Sequence, residues 1–108
     1  MMYSAKMLNA AAHQAQTRRI NLVRTQIIEP WLNHFEQACI QAAEEEGFGF
    51  TTPSIKWRDI GIKTKEEQDM MVKTIEEHLY LRGISINMFY TSGTGFQIMV
   101  DWSDEVVE

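Results

Sequence analysis

The stretch INLVRTQIIEPWLNHFEQACIQA, residues 20–42, decides the fold. Most of its residues favour or tolerate helix, but Pro30 sits in the middle, where it cannot donate an i→i−4 hydrogen bond and crowds the preceding turn. Periodicity settles the reading. At about 100° per residue, Ile20, Val23, Ile27, Trp31, Phe35, Ala38, Cys39 and Ala42 fall on one broad stripe. That stripe passes through Pro30 without losing phase. The expectation is one long, kinked helix, with two helices meeting near Glu29 as the alternative.

Working toward the N-terminus, Ala5, Leu8, Ala10, Ala11, Ala12 and Ala15 extend the helical propensity, so residues 1–46 read as helix. Gly47 is the expected C′ stop. Leu8, Ala11, Ala12, Ala15 and Leu22, however, point roughly opposite to the later stripe. A chain of 108 residues has room for one domain, 1–108, and can hardly wrap both faces of so long a helix. The spare face predicts a homo-oligomer, dimer or higher, formed through this helix. Charge points the same way. Residues 1–28 hold Lys6, Arg18, Arg19 and Arg24 with no acid, whereas residues 29–55 hold Glu29, Glu36, Glu44, Glu45 and Glu46 with no base. Antiparallel pairing would bring the two signs together.

Toward the C-terminus the period changes, and residues 47–102 read as a β-α-β-β unit. Residues 48–53 are expected as a turn or short extended piece. Ser54–Ile60 (SIKWRDI) alternates, with Ile55 and Trp57 on one face and Lys56 and Arg58 on the other, as a half-buried strand does. Thr64 with Glu67 forms a T-x-x-E capping box that opens a second helix over residues 65–82. Its apolar stripe is Met71, Val72, Ile75 and Leu79, and Gly83 ends it. Ile84, Ile86 and Met88 alternate with Ser85, Asn87 and Phe89. TSGTG (91–95) is a turn, and Phe96, Ile98, Val100 and Trp102 share one face of the last strand. Residues 103–108 form an acidic tail. The fold class is α+β: a long kinked helix, then a three-stranded, largely antiparallel sheet packed by helices.

Composition excludes several function classes. Hydrophobic residues are 44% and charged residues 23%, the balance of a globular chain. No apolar run approaches the roughly 18 residues of a membrane span, and residues 1–25 lack the apolar core of a secretory signal. A cytoplasmic protein without membrane association is expected. The net charge of −5 argues against general nucleic-acid binding, which rests on phosphate contacts. Cys39, the one cysteine, cannot form an internal disulfide, and no Cys/His spacing suggests zinc. No metal and no cofactor are expected.

The candidate site residues each carry a bland reading beside the functional one. Arg18, Arg19 and Arg24 suit a phosphate or carboxylate through paired donors. They lie on three sides of one helix, so a clamp would need a second helix; solvated or interchain pairing is the alternative. Lys56 and Arg58 on one strand face, and Glu44–Glu46 at a helix C-terminus, are candidate partner contacts or plain solvated charge. The TSGTG turn could cradle a phosphate with its amides, but it lacks the lysine and following helix of a P-loop. His78 falls on the apolar stripe of its helix and reads as a hydrogen-bonded core histidine. His34 and Glu36 lie on opposite sides of theirs and cannot share a metal. No nucleophile elbow or acid–base pair occurs at motif spacing, so a non-enzymatic protein is expected.

A capped helix ending LYLRG (79–83), a strand, a Gly-containing turn and a last strand ending IMVDW (98–102) resembles small phage-encoded accessory proteins over residues 64–102. That resemblance implies a short, acidic protein of the host cytoplasm. Some such proteins are anti-defence inhibitors that block a host protein by contact; others sequester a nucleotide signal, commonly as oligomers. The first expectation is therefore an inhibitor acting by protein contact. The alternatives are an oligomeric sponge holding a phosphorylated nucleotide through the N-terminal arginines, and a structural or assembly protein.

Overall fold

The computed structural model describes residues 4–103; the acidic tail expected over residues 103–108 lies almost entirely outside them. The helical rod runs as α1 (Ala5–Val23), a π turn (Arg24–Ile28) and α2 (Glu29–Glu44). At about 1.5 Å per residue it sets the long axis of a molecule 67 × 30 × 18 Å in extent. The radius of gyration is 17.8 Å, against about 13 Å for a compact chain of this length.

The interruption at Pro30 takes the form of the π turn, and packing explains it. Val23 and Ile28 are both fully buried, yet five residues of α-helix would set them about 140° apart. Widening the turn to the i→i−5 bond from the Glu29 N–H to the Arg24 carbonyl brings them onto one face. It also absorbs the missing Pro30 donor without ending the helix. Ile20, expected on the body-facing stripe, is instead 43% exposed, since the phase change comes after it.

The helix closes differently from expectation. Glu46, not Gly47, takes the left-handed position, at φ 68°. The Gly47 N–H reaches the Ala42 carbonyl at 2.9 Å and the Glu46 N–H reaches that of Ala43 at 3.0 Å, the paired bonds of a Schellman turn. Gly47 is required for another reason: a Cβ there would stand 2.8 Å from the Ala42 oxygen.

Four strands form the sheet where three were expected: β1 (Gly49–Thr51), β2 (Ile55–Lys56), β3 (Ser85–Thr91) and β4 (Gly95–Asp101). All pair antiparallel with β4 at the centre, β3 along one side and β1 then β2 along the other. Between β1 and β2 the chain bows out at Thr52–Ser54. The buried Thr52 bridges the gap: its N–H donates to the Ile98 carbonyl at 2.9 Å, and its hydroxyl accepts from the Ile98 N–H at 3.1 Å.

The strand expected over Ser54–Ile60 stops at Lys56. Its register partner is Gly95, the first residue of β4, so beyond it only the Trp57 N–H reaches across, to the Thr94 carbonyl at 3.1 Å. The chain turns into a 3₁₀ turn, Trp57–Ile60, and the buried Trp57 anchors it by donating from its indole nitrogen to the Ser92 carbonyl at 2.9 Å. In β3 a bulge between Ile86 and Met88 inverts the expected alternation. Phe89 turns inward against Phe96, at 6.1 Å between ring centres, and Met88 turns out.

α2 and α3 (Lys65–Leu81) cover one face of the sheet. The core joins Leu32, Phe35 and Cys39 of α2 to Met71, Ile75 and Leu79 of α3 and to Phe96, Ile98 and Val100 of β4. Phe96 is its aromatic hub, 5.4 Å from Trp31 and 4.7 Å from Trp57.

Candidate functional site

The N-terminal part of α1 stands clear of this body. Every residue from Ala5 to Arg18 is exposed, including Met7 at 49% and Leu8 at 58%. Isolated helices of this length are marginal in water, and no side chain of this one is buried. Ser4 caps its start by accepting from the Met7 N–H at 3.2 Å. Leu8, Ala11, Ala12, Ala15 and Leu22 thus present an apolar stripe bordered by Arg18, with Lys6 on the opposite side of the helix.

The three arginines do not converge. Arg18 and Arg24 are exposed. Arg19 turns the other way and docks on α3: its guanidinium donates to Glu67 through Nη2–Oε1 at 2.8 Å and Nε–Oε2 at 3.2 Å, and to the Gly61 carbonyl at 3.0 Å. Glu67 is the acid of the expected capping box. The Thr64 hydroxyl does accept from the Glu67 N–H at 3.1 Å. The carboxylate, however, accepts from the Lys63 N–H at 3.1 Å and from Arg19. The Arg19 hydrogen bond outweighs burial and holds this carboxyl below the usual carboxylate range. Arg19 is therefore committed within the chain, a pairing across 48 residues of sequence that no local pattern announces.

A second cross-element cluster also escapes sequence reading. Glu36 of α2 accepts from His78 Nε2 at 2.6 Å and from Arg82 Nε at 2.8 Å, tying α2 to α3. The sequence shows half of it: His78 falls on the apolar stripe of its helix, but nothing local points to Glu36 as its partner. Cys39 lies nearby, buried. Burial, with a smaller push from the Glu36 charge, raises its thiol to about 11. The reactive thiolate is suppressed at neutral pH.

Glu44 and Glu45 are exposed and border a shallow furrow of about 610 Å³ along the outer side of α2, with Gln37, Ile40 and Gln41. Glu46 is exposed at the turn beyond. Lys56 and Arg58 do not share a strand face, because Arg58 belongs to the 3₁₀ turn. They nonetheless meet at one groove with Lys63 and with Gly93 and Thr94 of the hairpin turn. Among the described residues no group of three His, Cys, Asp or Glu side chains could hold a metal ion, and no helix is long and apolar enough to cross a membrane. The chain matches no protein-family model, no curated protein and no solved structure.

Proposed function

We propose that this is a non-catalytic binding protein that acts by protein contact as a homo-oligomer, with the α1 arm of one copy seated on α2 of another. The observation that supports it is the arm itself: fourteen consecutive exposed helical residues with an apolar stripe and only basic charge. A second copy fits by sign and by shape. Antiparallel placement about the π turn sets Leu8 against Ile40, itself 49% exposed, and Arg18 beside Glu29. The furrow along α2 offers that arm its seat. Like charges along each arm would be exchanged for opposite ones across the contact.

An accessory or inhibitor role by contact, the first expectation from the phage resemblance, accords with such an assembly. The phosphorylated-nucleotide sponge has weaker support, because Arg19 is spent on Glu67 and only Arg18 and Arg24 stay available on the arm.

Native mass spectrometry and sedimentation test the reading. The wild type is expected as a dimer or higher oligomer at micromolar concentration. Leu8→Glu with Arg18→Glu should weaken association at least tenfold. Adding Ile40→Lys and Glu29→Lys to the same chain should restore it. A wild type that stays monomeric at high micromolar concentration, or an oligomer indifferent to the arm reversal, overturns the proposal.

A further inference from the structure

We infer that the groove between the 3₁₀ turn, the start of α3 and the β3–β4 hairpin turn binds the phosphate group of a small phosphorylated molecule. This is independent of the arm and of the oligomer. Three cations from three short stretches, Lys56, Arg58 and Lys63, line one concavity together with Trp57, Ile62, Gln68, Gly93 and Thr94. No carboxylate is among its lining residues. In a chain of 15 acids and 10 bases, this is an unusual local excess of positive charge.

The acids that could neutralise it are engaged elsewhere. Glu67 holds Arg19 at 2.8 Å, Asp69 holds Lys65 at 2.9 Å, and Glu66 faces the groove between α1 and α3. Asp59 touches Arg58 only at 3.9 Å, between side chains 66% and 81% exposed, where solvent leaves such a pair almost no strength. Lys56 and Lys63 make no ion pair among the described residues. Three like charges around one concavity repel each other, and an anion relieves that repulsion.

Backbone chemistry adds to the side chains. In the hairpin turn the Ser92 carbonyl accepts from the Trp57 indole rather than from the chain across the turn, and the Ser92 hydroxyl accepts from the Thr94 and Gly95 N–H groups at 3.3 Å. The Gly93 N–H makes no hydrogen bond among the described residues, and no atom lies within 4 Å of the place a Cβ would take there. An unpaired amide at the rim of a basic groove is a donor set for a phosphate oxygen. At the base of the turn Gly95 packs so closely on the Ile55 carbonyl that any side chain would collide. The groove encloses about 390 Å³, within the range of small-molecule sites.

Two-dimensional NMR titration of the whole protein with inorganic phosphate, adenosine 5′-monophosphate and adenosine tests this. Phosphate and the monophosphate should both saturate, with the largest shifts at the Gly93 and Thr94 amides and the Trp57 indole N–H. Adenosine should move none of them. A tighter fit for the monophosphate than for phosphate assigns the groove to a phosphorylated organic molecule; equal affinity assigns it to the free anion, and either bears out a phosphate site. Lys56→Ala with Lys63→Ala should weaken both at least tenfold while the remaining spectrum is retained, and Arg58→Ala serves as a second, separately folded test. Arg18→Ala with Arg24→Ala should change neither. Shifts that never saturate, that spread evenly to Lys6 and Lys73, or that adenosine reproduces overturn the inference.

Discussion

The two halves of one helical rod behave as different materials. From Ala5 to Arg18 no side chain is buried, whereas beyond it Val23, Ile28, Leu32, Phe35 and Cys39 are buried in turn. Both halves have helical sequences, so propensity does not separate them; packing does. The arm is helical by composition, with its alanines, its Ser4 cap and no β-branched residue before Thr17. α2 is helical because its apolar face completes a core. That difference teaches that helical sequence and folded stability reside in separate parts of this chain, and that a substitution in one should leave the other unmoved.

The largest effect should come from deleting a core side chain. Ile75 of α3 is fully buried in the core, and Ile75→Ala should cost about 3 kcal/mol or more in urea unfolding. Leu8→Ala removes a side chain of similar size from the arm. At concentrations where the chain is monomeric it should shift stability by less than about 0.5 kcal/mol, and its effect should surface only in association. Equal losses at both positions would mean the arm folds as part of the core.

The Arg19–Glu67 pair is where the two materials join, and it gives the next largest effect. Glu67→Ala leaves the Lys63 N–H without its acceptor and the Arg19 guanidinium with only the Gly61 carbonyl, and should cost about 2 kcal/mol. The exposed Lys65–Asp69 pair, 80% and 64% open to solvent, should cost under about 0.5 kcal/mol when Asp69→Ala breaks it. The pair also sets a pH signature. The Glu67 carboxyl lies below its ordinary value of 4.5 in the folded chain. Its contribution is therefore fully present above that value and is lost as pH falls through the lower folded one. The acid limb of the unfolding curve should be shallower in Glu67→Ala than in the wild type.

What the sequence disclosed follows the range of the interaction. The α+β class, the long helix, the capped α3 and the buried face of β4 were legible because each repeats a local period. Three features were not. The alternation of Ile55 and Trp57 is genuine, since both point inward, but whether it belongs to a strand depends on where β4 begins, forty residues away. Met88 and Phe89 exchange faces because one bulged residue resets a period of two, which residue types alone do not mark. Pro30 reads as a conflict in the sequence, and a π turn rather than a break resolves it because Val23 and Ile28 both need the core. The candidate site divides the same way. Arg19 reads as a free arginine until Glu67 is brought to it, and Lys63 joins Lys56 and Arg58 only through the fold.

The smallest effect tests the end of the rod, where helical propensity and packing have both run out. Glu46 holds a left-handed backbone conformation, at φ 68°, which costs a residue with a side chain about 1 kcal/mol relative to glycine. It also places a negative charge at the negative end of the helix dipole. Glu46→Gly removes both penalties and should raise stability by up to about 1 kcal/mol, reduced by the greater freedom glycine has in the unfolded chain. Glu46→Gln separates the two contributions: it keeps the backbone strain and removes the charge, so it should recover only a few tenths of a kcal/mol. If Glu46→Gly stabilises the monomer yet weakens the oligomer, the residue is held in a strained place for its charge, and the acidic end of α2 belongs to the contact. If it stabilises both, that contact is made by Glu44 and Glu45 alone.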